Sequence, residues 1–209
     1  MTKSKSLKVV RHSKPFIALH WLIFSEGLLL LLTGFSMSEG FNPIPIPLDI
    51  ARPIHIVVAF AFLATSVFFL YYFVVSGEYK WFGLSRIGYA QDFFIEEIRA
   101  FLKGEKGETP VRYDPQSGDY VEKVVPTEVL AWWGWFLLGM GITLSGLGLL
   151  FPKTFGVTRD VAVSLRAAHF LIAVLIIVLA LIHAYAAMVF GMWKSIFVGT
   201  REEPVVESS

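Results

Sequence analysis

The chain has 209 residues, of which 55% are hydrophobic and only 17% are charged, and its mean hydropathy is +0.62. That composition excludes an ordinary soluble domain of this size. The absence of cysteine excludes cysteine-ligated iron–sulfur clusters, covalently attached c-type haem, disulfides and thiol catalysis within this chain. A net charge of +1 gives no electrostatic reason to expect nucleic acid as a partner.

Four long apolar segments account for the high hydropathy. They cover about residues 16–36, 54–75, 129–151 and 165–190, and each has roughly the 20 residues that cross a hydrocarbon core of about 30 Å. Residues 54–75 and 129–151 contain no Asp, Glu, Lys or Arg. We therefore expect an all-α membrane protein, a four-helix transmembrane bundle that forms a single domain over residues 1–209.

The distribution of positive charge predicts how these spans are oriented. Fourteen of the eighteen Lys and Arg residues lie in the two tails and in the segment between the second and third spans, and four lie on the opposite side. Because cytoplasmic segments carry an excess of Lys and Arg, we expect cytoplasmic N and C termini. Residues 37–53 then form an outer loop, and Pro43, Pro45 and Pro47 predict that part of it is extended.

The segment between the second and third spans is the largest extramembrane region. Its residues 89–103 alternate apolar and charged side chains and predict an amphipathic helix. Such a helix would lie on membrane lipid or pack against a partner subunit, and the sequence leaves both open. Residues 104–126 are rich in Gly, Pro, Asp and Ser and predict a loop.

Four of the five histidines lie within or at the edge of the apolar spans: His20, His55, His169 and His183. Ionisable residues at membrane depth are costly and mark functional sites. His169 and His183 are fourteen residues apart, which is about 21 Å along a helix and about 40° short of four full turns, so they share one face. With the orientation above, His55 and His169 form an outer level, and His20 and His183 an inner level.

Two histidines at one level suit the two axial positions of a b-type haem, bound as neutral imidazoles. A zinc or copper site needs three or four close ligands instead. The sequence therefore predicts two haem b groups, with His55 and His169 as iron ligands outside and His20 and His183 inside. The alternative is a proton- or metal-transporting helical bundle that uses the same histidines as relay groups or ligands.

Small and basic residues near the histidines extend this hypothesis. Gly27 and Gly141 belong to stripes of small residues that leave room beside a porphyrin, or that simply let helices approach each other. Arg52 and Arg166 each precede a predicted outer ligand by three residues, so either could pair with a haem propionate or extend to the membrane interface. Arg11 and Lys14 are candidates for the propionate role at the inner level.

These residues resemble a known family. Arg11, His20-Trp21, Thr33-Gly34, the histidine that opens the second span and the spacing of His169 and His183 resemble the b-type (gamma) subunit of membrane-bound formate dehydrogenases. The cytochromes b of nickel–iron hydrogenases and thiosulfate-type reductases are similar. The resemblance covers about residues 8–200.

The resemblance implies a respiratory membrane anchor in the prokaryotic cytoplasmic (inner) membrane. It implies an iron–sulfur subunit that passes electrons to the outer haem, a separate catalytic oxidoreductase subunit, and an inner haem that reduces a membrane quinone. This chain would then carry electrons and have no substrate chemistry of its own.

Quinone reduction consumes protons, so it requires titratable or polar groups near the inner level. His12, Glu26, Thr127 and Glu128 are the candidates. Glu26 lies in the first span, six residues past His20, or about 9 Å along the helix. The alternatives are a hydrogen-bonded structural role for Glu26 and a favourable helix N-terminal position for Glu128.

Overall fold

The computed structural model describes residues 6–38, 42–103 and 110–206. In chain order the elements are β1 (Ser6–Val10), α1 (Lys14–Ser36), α2 (Leu48–Val75), α3 (Ile87–Lys103), β2 (Arg112–Asp114), β3 (Asp119–Glu122), α4 (Pro126–Leu150), α5 (Arg159–Val189), α6 (Ser195–Val198) and β4 (Thr200–Pro204). Helices α1, α2, α4 and α5 are long and apolar enough to cross a membrane. The predicted class, an all-α membrane protein with four spans, is confirmed.

All four spans begin earlier than predicted, by two to six residues, and the reason is clearest for α1 and α2. Helix α1 starts at Lys14 because the Ser13 hydroxyl accepts a hydrogen bond from the amide of Phe16 and caps the first turn. Helix α2 starts at Leu48, so residues 48–53, which were predicted as loop, are helical. Pro53 is tolerated there because it lies in the second turn, where it removes one intrahelical hydrogen bond close to the helix start.

The chain divides into two compact units, residues 12–78 and residues 6–11 with 79–206. In the first, α1 and α2 pack together, and we call this pair the first hairpin. In the second, α4 and α5 pack together as the second hairpin. Cβ atoms built on Gly134, Gly141 and Gly148 would lie 3.1–3.2 Å from side chains of α5, namely Leu179, Ile172 and Leu165. Every seventh residue of α4 is therefore a glycine that lets α5 approach.

Two small antiparallel sheets were not predicted. Strands β1 and β4 pair over Ser6–Val10 and Thr200–Pro204, and β2 pairs with β3. Of the predicted loop 104–126, residues 104–109 lie outside the described residues, but the prediction is wrong for residues 112–114 and 119–122. Strands this short carry little periodicity. The β1–β4 pairing also places both tail segments on the same side of the membrane as each other.

Helix α3 agrees with the predicted amphipathic segment to within two residues at its start. Phe93 packs against a buried cluster that contains Val111, Val125 and Met192. Its exposed apolar side chains are Tyr89, Phe94, Ile95, Ile98 and Leu102. The last four fall within about 100° of one another around the helix axis. They form a continuous apolar stripe, as contact with lipid or with a partner subunit would require.

Candidate functional site

In the first hairpin, His55 near the start of α2 faces α1 at Thr33. The Thr33 hydroxyl lies 2.9 Å from the Nδ1 atom of His55. The same hydroxyl lies 2.7 Å from the backbone carbonyl of Leu29, one turn earlier in α1. Thr33 is only 2% exposed, so this hydroxyl is held inside the hairpin.

In the second hairpin, His169 and Ser145 repeat this arrangement. The Ser145 hydroxyl lies 2.9 Å from Nδ1 of His169 and 2.8 Å from the carbonyl of Gly141, one turn earlier in α4. Ser145 is 5% exposed. Each predicted outer ligand therefore meets a buried hydroxyl of the preceding long helix in its own hairpin.

These contacts favour one of the two neutral tautomers of each imidazole. A carbonyl oxygen cannot donate, so a hydroxyl 2.7–2.8 Å from one must point its single proton there. The hydroxyl oxygen then accepts a hydrogen bond from Nδ1–H of the histidine. In this neutral tautomer Nε2 carries the lone pair that binds a metal. The donor set at this level therefore fits axial haem ligation.

A glycine follows each hydroxyl residue and allows the imidazole to come close. A Cβ atom added at Gly34 would lie 3.3 Å from Cε1 of His55, and one added at Gly146 would lie 3.2 Å from Cε1 of His169. Both distances are shorter than ordinary van der Waals contact. Each imidazole thus sits on a patch of helix backbone that has no side chain.

The other two histidines lie at a second level in each unit. His20 is thirteen residues before Thr33 on α1, about 20 Å along the helix, and His183 is about 21 Å beyond His169 on α5. The ring of His20 stacks on Phe16 with centroids 6.4 Å apart. The ring of His183 meets the edge of Trp135 at 6.4 Å. Each compact unit therefore carries one histidine at each of two levels.

The remaining predicted haem contacts have mixed surroundings. Arg52 lies within α2, as the propionate hypothesis required, and both Arg52 and Arg166 are exposed. Gly141 packs against Ile172 of α5, whereas the nearest atom to a Cβ on Gly27 is in Phe62, 4.0 Å away. The glycine stripe of α4 thus serves helix packing, and contact of Gly27 or Gly141 with haem stays a prediction.

The candidate proton-handling residues do not form one cluster. In the first hairpin, Glu26 is buried, and its Oε1 atom accepts a hydrogen bond of 3.0 Å from Thr65. Its Oε2 atom is buried without a hydrogen-bond partner in the described part of the chain. Glu26 lies about 9 Å from His20 and about 10 Å from Thr33 along α1, between the two histidine levels. The ring of His12 stacks on Phe16 at 4.7 Å.

In the second unit, the first turn of α4 meets the tails and α3. Thr127 donates a hydrogen bond to Glu97 of α3; burial raises the pKa of this carboxyl, and the bond from Thr127 opposes that rise. Glu128 accepts from the amide of Val125 and lies 3.6 Å from the Arg11 guanidinium. Glu97 was not among the candidates, because its amphipathic surroundings in the sequence suggested only a surface carboxylate.

The side chain of Arg11 forms part of a buried ion cluster. Its Nη1 atom donates to Glu203 at 2.9 Å, and both side chains are almost fully buried. Burial by itself lowers the pKa of Arg11, but Glu128 and Glu203 outweigh it, so the pKa lies above its ordinary value. The cluster joins the residue that follows β1 to β4 and α4, and Arg11 stays charged within it. No local pattern in the sequence indicated Glu203.

Sequence reasoning also missed Ser145 and Thr65. A usable signal existed for Ser145, because Thr33-Gly34 and Ser145-Gly146 are both a hydroxyl residue followed by glycine, 22 and 24 residues before a histidine. Thr65 is one of several hydroxyl residues in apolar helices, and only its contact with Glu26 distinguishes it.

Comparison with known proteins agrees with this geometry. The family model for prokaryotic cytochrome b561 matches residues 11–197, which include the four long helices and all four membrane histidines. Proteins of this family are multi-pass membrane cytochromes that bind haem b and carry electrons across the membrane. A comparison with curated proteins finds no match. Because the match covers most of its length, the chain belongs to the prokaryotic cytochrome b561 family.

Proposed function

We propose that this cytochrome holds two b haems, the outer one between His55 and His169 and the inner one between His20 and His183. The observation that carries the proposal is the repeated arrangement of His55 and His169, each with Nδ1–H bonded to a buried helix hydroxyl. The second histidine of each unit, about 20 Å away along a helix, supports a second haem rather than a larger single site.

When bound, haem supplies a one-electron couple that side chains of this chain lack. The four histidines would serve as neutral axial ligands. Arg52 and Arg166, one turn before the two outer ligands, would offset the charge of the propionates at the outer surface. The apolar surroundings of the spans would keep water away from the iron and hold both ligands on it.

We further propose that the chain anchors a respiratory oxidoreductase of formate dehydrogenase or hydrogenase type in the prokaryotic inner membrane. The pairing of β1 with β4 supports tails on one side, and their Lys and Arg residues favour the cytoplasm for that side. An iron–sulfur subunit with its catalytic partner would dock at the opposite, outer face, since electrons must enter close to the outer haem. Electrons would leave from the inner haem to a quinone.

The quinone would need protons near the inner level. Glu128 lies seven residues before Trp135, the neighbour of His183, which is about 10 Å along α4. Its side chain is also 33% exposed, so water can reach the carboxylate. Glu26 is the second candidate, because its Oε2 atom has room for a proton without breaking the bond from Thr65. Thr127 and His12 would shape the rim of this region.

The first experiment is a haem count on the purified full chain in mild detergent. We expect two haem b per chain by pyridine haemochrome and b-type bands in the reduced-minus-oxidised spectrum. A colourless protein would instead favour the transporting bundle. If the purified chain binds no haem, the whole proposal is wrong.

A second experiment identifies the partners. Cross-linking in native membranes should join the iron–sulfur subunit to the outer loops around residues 42–47 and 152–158. Cross-links from that subunit only to residues 76–128 would contradict the proposed docking and reverse the electron path.

A further inference from the structure

We infer that Thr33 and Ser145 are paired positioning residues that tune the outer haem and lower its reduction potential. The inference rests on the proposed function, because it requires His55 and His169 to be the ligands of one haem. It concerns two residues that touch the ligands rather than the iron, and it assigns them a measurable effect.

Hydroxyl groups that bond back to the carbonyl one turn earlier are common in this chain. Ser25 donates to Trp21 at 2.8 Å, and Ser36 donates to Leu32 at 2.7 Å. Such bonds relieve the cost of a hydroxyl in an apolar helix and need no further role. Thr33 and Ser145 differ because each also lies 2.9 Å from a histidine Nδ1 atom and is nearly inaccessible to solvent.

The close carbonyl contacts favour one direction for the bond between hydroxyl and imidazole, and the backbone carbonyl of Ile142 also accepts from His169. The hydroxyl proton is held by the carbonyl of Leu29 or Gly141, so the hydroxyl oxygen accepts from Nδ1–H. An imidazole that donates a hydrogen bond from Nδ1 becomes a stronger electron donor through Nε2, and the bond also fixes the ring orientation. Stronger donation favours ferric over ferrous iron, so it lowers the reduction potential.

Two such hydrogen bonds, one on each ligand of the same haem, both lower its reduction potential. The adjacent Gly34 and Gly146 bring the ring within reach of the hydroxyl, because a Cβ at either position would crowd Cε1. Each hairpin therefore supplies the same three features to its outer histidine: a hydroxyl, a carbonyl that orients it, and a glycine that admits the ring.

The test is a redox titration of Thr33→Val, Ser145→Ala and the double variant, monitored by optical and electron paramagnetic resonance spectroscopy. We expect the potential of one haem, the one missing in His55→Ala, to rise while the other is unchanged. At a fixed ambient potential each single variant should change its ferric-to-ferrous ratio threefold or more, or about 28 mV at 59 mV per decade. The double variant should shift further than either single variant.

Two controls separate this effect from a change in packing. Thr33→Ser keeps the hydroxyl and should retain the wild-type potential. Ser25→Ala removes a back-bonding hydroxyl on the same helix and should leave both potentials unchanged. Loss of the outer haem in Thr33→Val with retention in Thr33→Ser would also support the inference, because the hydroxyl would then be needed to orient the ligand.

Unchanged potentials and spectra in a double variant that holds both haems would overturn the inference. Equal haem loss in Thr33→Val and Thr33→Ser would also overturn it, since packing rather than the hydroxyl would then be responsible. If the wild-type chain binds no haem, the proposed function fails instead, so the two failures are distinguishable.

Discussion

The two hairpins are alike around the predicted outer ligands and different elsewhere. Each has a hydroxyl residue followed by glycine on its first helix and a histidine on its second, 22 residues later in one hairpin and 24 in the other. His20 lies thirteen residues before Thr33, but the position thirteen before Ser145 is Trp132. His183 lies fourteen residues after His169, but the position fourteen after His55 is Phe69.

The polar contents of the hairpins differ as well. The first contains the Glu26–Thr65 hydrogen bond. The positions with the same offsets from Ser145 and His169 in the second are Leu138 and Leu179, and Leu179 packs against Gly134. An apolar contact in one hairpin thus replaces a buried carboxylate in the other. The surroundings of the two predicted outer ligands thus repeat in both hairpins, whereas the predicted inner ligands and the carboxylate have no counterpart at the equivalent positions.

The sharpest way to break this comparison is to remove the histidines one at a time. His55→Ala and His169→Ala should each lower the haem content from two to one and remove the same spectral component. His20→Ala and His183→Ala should remove the other, since one axial ligand rarely retains a b haem. His12→Ala should keep both haems. Spectra in which His55→Ala and His169→Ala lose different haems would contradict the pairing.

The buried carboxylate of the first hairpin provides the next test. If Glu26 delivers protons to the quinone, Glu26→Gln should slow quinone reduction by about 100-fold, the lower range for loss of a proton-transfer group. Glu128→Gln tests the candidate of the second hairpin in the same way. Reduction of both haems by the electron donor should be unaffected in stopped-flow measurements. Rates that match wild type in both variants across pH would remove both residues from the mechanism.

The second unit has an ion cluster that should affect stability rather than redox chemistry. Among the described residues, Glu203→Gln leaves the buried Arg11 charge with the more distant carboxylate of Glu128, which should cost about 3 kcal/mol of unfolding free energy. Thermal unfolding in detergent should show the loss. The exposed neighbour Glu202 is the matched control, and Glu202→Gln should change the free energy by less than about 0.5 kcal/mol. Equal effects of the two changes would show that the cluster contributes nothing.

The glycines beside the outer histidines should give the smallest effect. Gly34→Ala and Gly146→Ala add a Cβ at 3.3 and 3.2 Å from an imidazole carbon. Because this crowds the ligand, each change should weaken the binding of the haem by about 1 kcal/mol. Partial haem loss on dilution is the measurement. Gly139→Ala is the control, because its added Cβ would meet no described residue within 4 Å other than its own stretch of helix. If Gly34→Ala and Gly146→Ala both retain as much haem as Gly139→Ala, the imidazole rings can move aside without cost.

Sequence alone was sufficient for the four spans, because crossing a membrane requires about 20 consecutive apolar residues, which is a local property. It was also sufficient to single out the four histidines, since ionisable groups are rare at that depth. The predicted helix starts were less accurate, because capping residues and prolines affect only one turn of a helix. Residues 48–53 were predicted as loop, but Pro53 removes only one hydrogen bond near the start of α2 and the helix includes it.

Only the tertiary structure showed which side chains meet. Arg11 and Glu203 are 192 positions apart, and β1 and β4 come together from opposite ends of the described chain. The use of the α4 glycines for helix approach depends on the large side chains that α5 places opposite them. The partnership of Ser145 with His169 depends on how far the turn between α4 and α5 shifts one helix past the other. Contacts of this kind follow from the register between helices, which no local sequence pattern encodes.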